Sequence, residues 1–446
     1  MKPLPPWLYL PFDPFVASHA LPSSLGDALR IEEFRFYGRP LWRVYDGRDL
    51  LDVATVKLLC GPELIFYRPG TRPVLLEADT FALFTQRICL QLSPDAASQE
   101  IEQSAVESHM RLATGVHAGR LLTACPSEPI LALAAAHATR REIDLKNATR
   151  CLIDLIFRFR VDRGLEGELY SRLILILARD MATTNGLYDE TSRCLRPVTL
   201  HAMLRKLVKS GYSELDSKLD GTSPPFGTDV HVTFTHFVEL AAEVTVLDAQ
   251  WCFEMLCRGA AAQCVFSQPV INGFIIGYRG KLDEPFDETK LYLIAWQTKA
   301  RQEPVPPNQD VGLTCPLIRY KDGTVVKPDH TILLFDLGAG DTEYTSSKSL
   351  VKACSRAAVP TTRWGGYAKA QETEGFFVGI RGLTPYAVLD WDGLDHQKLL
   401  DTINPEGPLE PKYGSGARAS YDMFTHGEPQ RLRYEKSVYF SDGIAY

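Results

Sequence analysis

The stretch from Gly259 to Thr298 constrains the fold more than any other part of the chain. Ala260 to Phe266 is an apolar run, Ser267-Gln268-Pro269 is a turn signal, and Val270 to Tyr278 is a second run. An acidic loop through Asp283, Glu284, Asp287 and Glu288 then leads into a third run, Leu291 to Thr298. Short apolar runs bounded by turn residues predict buried strands. The text from about Thr235 to Arg258 reads as helical, so three strands in succession after helices predict an α+β core. Gly259 to Tyr278 carries no charge and is about long enough to cross a bilayer, but Gln263, Ser267, Gln268, Pro269 and Asn272 interrupt it. It reads as two strands rather than a membrane span.

Upstream, Leu169 to Met181 predicts a helix, because Leu169, Leu173, Ile176 and Leu177 recur at helical spacing. The first 60 residues predict a β-rich entry, with Glu33 to Tyr37 and Trp42 to Tyr45 as aromatic-rich strands around the turn Gly38-Arg39-Pro40. From Leu76 to about Ala138 the pattern is helical, with a polar helix opened by Ser98 and Glu100 and a buried one over Ile130 to Ala136. Ser210 to Asp229 is a loop rich in Ser, Gly, Asp and Pro. Downstream, Thr331 to Leu337 and Phe376 to Arg381 predict strands, and Ser346 to Ala358 a helix. The expected organisation is an N-terminal β-rich entry and helical cap over 1–138, a core over 139–392 with a helical and loop insertion at about 183–258, and a Pro- and Gly-rich tail over 393–446.

With 48 basic and 55 acidic residues the net charge is −7, which argues against a protein that coats nucleic acid by bulk electrostatics and leaves room for a local groove. Residues 140–209 are such a locally basic stretch, with Arg140, Arg150, Arg172, Arg179, Arg193, Arg196 and Lys206 among its cations. They mark either a nucleic-acid face or the solvated side of amphipathic helices. Ten cysteines without a Cys-x-x-Cys pair do not make a disulfide scaffold or a zinc ribbon. A start with Pro3, Pro5 and Pro6 lacks the apolar run of a signal peptide. Both point to an intracellular protein, cytoplasmic or nuclear, not secreted and without a membrane partner.

The third run ends Trp296-Gln297-Thr298-Lys299. Positions two apart on a strand share a face, so Gln297 and Lys299 project to one side and Trp296 and Thr298 to the other. A lysine beside a metal-ligating side chain stabilises charge in phosphodiester cleavage; the plainer reading is an exposed strand end.

The order Gly167-Glu168-Leu169 and Arg172-Leu173 on a helix, then Arg258-Gly259-x-Ala261-x-Gln263-Cys264, a strand hairpin and Gln297-x-Lys299 resembles a large, mobile-element-associated family of fungal proteins. Pro126-Ser127-Glu128-Pro129-Ile130-Leu131-Ala132 is similar to an upstream motif of that family, and the resemblance spans roughly 126–392. It implies a core similar to the PD-(D/E)xK nucleases, the restriction-endonuclease-like fold, with a mixed central sheet flanked by helices and a helical region before it. By that resemblance Glu168 is the helix acid, Asn272 stands at the Asp position, and Gln297 and Lys299 are the strand pair. Glu168 and Gln297 would be the metal ligands and Mg2+ the cofactor. Candidate nucleic-acid contacts near the site are Arg172, Arg258, Arg279 and Arg301.

Hard cations prefer anionic oxygens, and neutral Asn272 and Gln297 leave Glu168 as the one formal charge, so Mg2+ affinity should fall steeply unless an acid elsewhere, such as Asp283, contributes. The expectation is a nuclease-like protein with a degenerate site that binds DNA, or hydrolyses it as an impaired metal-dependent endonuclease. The alternative is a non-enzymatic protein-interaction scaffold on the same fold. Weaker signals complete the list. Gly338-Ala339-Gly340-Asp341 is similar to the anion hole of ribokinase-like kinases. Asp390-Trp391-Asp392 is a carboxylate pair suited to a cation. His231 and His236 lack zinc-site spacing and read as ordinary polar residues.

Overall fold

The computed structural model describes residues 21–389 except 46–48, 61–76, 91, 93–95, 118–119, 141–144, 160–165, 184–185, 190, 211–214, 216–218, 220–226, 241–242, 266–267, 269–270, 300–314, 339–349 and 355–374. The chain enters through short helices α1 (Leu25–Ala28), α2 (Ile31–Phe34) and α3 (Leu50–Leu58), followed by α4 (Glu77–Ile88) and α5 (Ala96–Ser108). An antiparallel hairpin of β1 (Leu112–His117) and β2 (Arg120–Ala124) precedes α6 (Pro129–Ala138), α7 (Leu145–Phe159) and α8 (Glu166–Ala182). Short strands β3 (Tyr188–Asp189), β4 (Cys194–Leu195) and β5 (Val198–Thr199) lead to α9 (Leu200–Leu207). After β6 (His231–Val232), β7 (His236–Glu239) and β8 (Val246–Asp248) comes α10 (Ala249–Arg258). The strands β9 (Ala260–Gln263), β10 (Gly273–Tyr278), β11 (Leu291–Lys299), β12 (Leu317–Arg319), β13 (Val325–Val326), β14 (Asp329–Asp336), β15 (Leu350–Cys354) and β16 (Gly375–Arg381) complete it.

The main sheet has nine strands among the described residues and is mixed. Its spine runs β15-β16-β14-β11-β10-β6-β5, with β9 on β10 and β7 on β9. β9, β10 and β11 form an antiparallel meander, whereas β11, β14 and β16 are mutually parallel. Both faces are covered. Leu291, Leu293 and Ala295 point into one core with α1, α2, α3, α6 and α10; Tyr292, Ile294 and Trp296 point into the other with α7, α8 and α9. A strand packed on both faces has no polar side, and this is why these runs are continuous rather than alternating. The architecture is mixed α and β, with helices against a curled mixed sheet.

Several expectations are corrected. Glu33 to Tyr37 and Trp42 to Tyr45 are not strands: the first overlaps α2, and Pro40–Val44 is a 3-10 turn with proline in its first positions. Phe34, Tyr37 and Trp42 are all buried, and aromatic richness alone does not distinguish buried turns from a strand. The helical stretch of 76–138 is interrupted by the β1–β2 hairpin. The block from Thr235 to Arg258 is helical only from Ala249, because β7 pairs with β9 and β8 with β12 before Asp248 caps α10. Within Ser346 to Ala358 the described residues form β15, held by its ladder with β16. The two glycine- and aspartate-bearing signals, at 339–341 and at 390–392, and most of the loop at 210–229 lie outside the described residues. No helix among the described residues is long and apolar enough to cross a membrane.

Candidate functional site

One end of the sheet gathers the polar residues of the strand-rich core. α10 feeds that end: Asp248 Oδ1 accepts from the amides of Gln250 and Trp251 at 2.9 and 3.3 Å, and Gly259 closes the helix in the left-handed region at φ +57°. β9 follows and pairs with the start of β10, where Gly273 faces Trp296. A Cβ at 273 would lie 2.3 Å from the Trp296 indole and 2.4 Å from the Ala262 carbonyl, so only glycine lets the ring lie across the ladder.

Asn272, just outside the regular ladder, donates its backbone amide to the Trp296 carbonyl at 2.8 Å. Its side chain is used at both ends: Nδ2 donates to Glu168 Oε1 at 2.6 Å, and Oδ1 accepts from the Thr298 amide at 2.5 Å. Glu168 comes from the first turn of α8. One turn on, Arg172 donates Nε to the Glu168 carbonyl at 3.2 Å and Nη1 to Gln263 Oε1. Burial pushes the Glu168 carboxyl above the usual range, against the pull of Arg172 and the Asn272 hydrogen bond, while Glu239 adds to the rise. The same burial, with Glu168 nearby, pushes the Cys264 thiol far up. Glu168, Arg172, Gln263 and Asn272 thus form a closed network under α8.

Gln297 and Lys299 leave the strand on the other side. The β11–β14 register runs without a break from Tyr292–Asp329 to Lys299–Asp336, so the pleat puts Gln297 on the face of Leu293 and Ala295, away from α8. The four residues share one end of the sheet and not one face of it. Gln297 is 5% exposed, and its Oε1 accepts no hydrogen bond among the described residues.

Two of the candidate nucleic-acid arginines are buried. Arg172 is 2% exposed, and Arg258 donates Nη2 to the Ser127 carbonyl at 3.0 Å and lies over the Tyr37 ring. Arg279 is half-buried between Asp229, 3.2 Å from its Nε, and Asp329, and it covers the Tyr292 ring. It follows the far end of β10, about 23 Å of strand from Asn272 at about 3.3 Å per residue. Arg301 lies outside the described residues. Part of the basic stretch 140–209 is paired in the same way, while Arg150 and Lys206 are exposed. Arg179 is buried against Asp180 and the Arg196 carbonyl, Arg140 donates to the Asp180 and Thr183 carbonyls, Arg193 pairs with Glu32, and Arg196 pairs with Asp189.

Three buried polar groups have roles that the sequence reading did not assign. Ser127 Oγ lies 2.8 Å from His236 Nε2, and Thr235 Oγ1 lies 3.1 Å from His236 Nδ1. His236 is therefore a core residue, not an ordinary polar one, and burial beside Arg258 and Arg87 brings its pKa down to about 3. Glu128 Oε2 accepts from Trp42 Nε1 at 2.7 Å and from the Arg39 amide at 3.1 Å, tying the entry segment to α6. Asp336, 2% exposed, ends an apolar strand, and a lone charge in Thr331 to Leu337 was the one signal for it.

Among the described residues no cluster of three or more His, Cys, Asp or Glu could hold a metal ion. Comparison with models of known families, with characterised proteins and with solved structures finds no significant match.

Proposed function

We propose that this chain is a nuclease-like protein whose catalytic constellation has degenerated, and that it works as a non-enzymatic scaffold that binds rather than cleaves. The carrying observation is the Asn272 side chain. Its N–H donates to the Glu168 carboxylate, and its carbonyl is committed to the Thr298 amide. A carboxylate at 272 could still accept from Thr298 but could not donate to Glu168, so the pair would need a shared proton or a cation. With an amide there, the site is complete without metal. The order of helix acid, strand amide and Gln-x-Lys along the chain motivates the nuclease-like ancestry, and the separation of Gln297 and Lys299 from Glu168 and Asn272 onto the other face of the sheet supports the loss of cleavage. The internal use of Arg172, Arg258 and Arg279 supports a protein partner over DNA.

Nuclease assays on the wild type and Asn272→Asp with Mg2+ and with Mn2+ test the reading. The wild type is expected to leave DNA intact, and cleavage by it would sink the proposal; cleavage gained only by the variant would trace the ancestry. DNA affinity measured against salt should show a slope near zero, whereas a slope of several phosphate contacts would restore a nucleic-acid partner.

A further inference from the structure

β7 is an outer strand of the main sheet among the described residues, where its one ladder is with β9. The end of α4 runs along its open side. Arg87 Nε donates to the Thr235 carbonyl at 3.0 Å, and the Cys89 thiol donates to the Phe237 carbonyl at 3.0 Å. Cys89 follows α4 in the left-handed region at φ +51°, a conformation that residues with a side chain rarely adopt. Such a backbone persists where its surroundings hold it, and one of the holding contacts is made by the sulfur.

A second sulfur reaches the same place from the hairpin. Cys125 follows β2, and Ser127, two residues on, places Oγ 2.8 Å from Nε2 of His236, the chain neighbour of Phe237. Arg111 fixes Cys125 at the base of the hairpin. Its Nη1 donates to Cys125 Sγ at 3.3 Å, its Nε donates to Thr123 Oγ1 at 2.6 Å, and Glu102 lies 3.7 Å from its Nη2. The same guanidinium covers the Phe81 ring, which ties the hairpin to α4. Cys89 and Cys125 are both free and partly buried, and they lie near enough to act on each other electrostatically. Burial pushes the Cys89 thiol up to about 12, with Arg172 and Arg111 opposing and Glu239 and Cys125 adding to the rise, so Cys89 keeps its proton at neutral pH.

We propose that Cys125 and Cys89 form a peroxide-sensitive pair, in which Cys125 is oxidised first and Cys89 closes a disulfide that staples β2 to α4. In the first step the Cys125 sulfur attacks hydrogen peroxide: the S–H and O–O bonds break, an S–O bond forms, and one water leaves with the thiol proton. In the second the Cys89 sulfur attacks the Cys125 sulfur: an S–S bond forms, the S–O bond breaks, and the hydroxyl leaves with the Cys89 proton as a second water. Two sulfurs together give two electrons to one peroxide. Closure withdraws the thiol donor from the Phe237 carbonyl on β7, whose Glu239 is the register neighbour of Gln263, the residue that accepts from Arg172. The staple therefore lies one strand from the Glu168 network, and it stands or falls apart from the loss of cleavage.

The test is treatment of the folded full chain with hydrogen peroxide, alkylation of the remaining thiols, and peptide mapping by mass spectrometry. The linked Cys89–Cys125 peptide should be the main intramolecular product, and dithiothreitol should restore both thiols. In Cys89→Ala the sulfenic acid has no resolving thiol, so dimedone should label Cys125 about tenfold more than in the wild type. Cys125→Ser should leave Cys89 unmodified at the same peroxide dose, with the circular dichroism spectrum unchanged in both variants. Absence of the linked peptide from the folded chain, its formation only in urea, or equal dimedone labelling of Cys125 in the wild type and Cys89→Ala would overturn the pair.

Discussion

Single residues carry the strongest energetic constraints in this molecule, and His236 is the one that responds to pH. Its imidazole is buried between the Ser127 and Thr235 hydroxyls, and that burial, with Arg258 and Arg87 nearby, outweighs the Gly259 backbone hydrogen bond that favours the charged form. In the folded chain it stays neutral down to about pH 3, while the unfolded chain takes up a proton near pH 6.5. Its folded pKa is depressed, so stability is fully present above pH 6.5, declines as pH falls toward 3 and levels off below. The slope should approach about 1.4 kcal/mol per pH unit within that window. His231 and His330, also lowered by burial, act in the same direction, and the raised carboxyl of Glu168 acts in the opposite one. Urea denaturation from pH 7 to pH 4 should show the decline in the wild type and a shallower one in His236→Gln; equal slopes would remove His236 as the cause.

At the scale of elements, α10 is set by its ends. Asp248 caps two amides at its start and Gly259 turns the chain at its end, so the helix begins where β8 stops and ends where β9 begins. Asp248→Ala should cost about 1 kcal/mol, read as a lower urea midpoint with an unchanged slope. The strands β9, β10, β11, β14 and β16 were legible because burial on both faces leaves runs of apolar residues that end at turns. The entry helices were not, since Phe34, Tyr37 and Trp42 suit a strand by composition and each helical element there is only four or five residues long. β7, β8 and β15 were missed for a related reason: short strands exist by virtue of their ladder partners, and the partners of β7 and β8 lie far along the chain.

For the molecule as a whole, buried ion pairs tie distant segments together. Arg87 on α4 meets Asp180 on α8 through two hydrogen bonds of 2.7 and 3.1 Å and also donates to the Thr235 carbonyl at 3.0 Å. The side chains are 4% and 0% exposed, and Arg179 stands 3.7 Å from the same carboxylate. Asp180→Ala would leave two buried guanidinium groups without their anion, and the expected loss is about 3–5 kcal/mol. Chemical denaturation should show Arg87→Met with Asp180→Leu recovering only part of it, because Arg179 remains. A loss under about 1 kcal/mol in Asp180→Ala would mean that water reaches the pair.

The sequence by itself determined the mixed α and β class, the central strands, the helix bearing Glu168 and the neutral amides at 272 and 297, because each depends on local periodicity or on residue identity. Only the tertiary structure decided that Glu168 and Asn272 satisfy each other at 2.6 Å, that Gln297 and Lys299 leave by the opposite face, and that Arg172 and Arg258 are buried. The face a strand residue takes is set by its register with its neighbours, and what an arginine does depends on which carbonyl or carboxylate the fold brings to it. The sequence placed Gln297 and Lys299 on one face of their strand, but which helices cover that face and which distant strands pair with it are settled only in the folded chain.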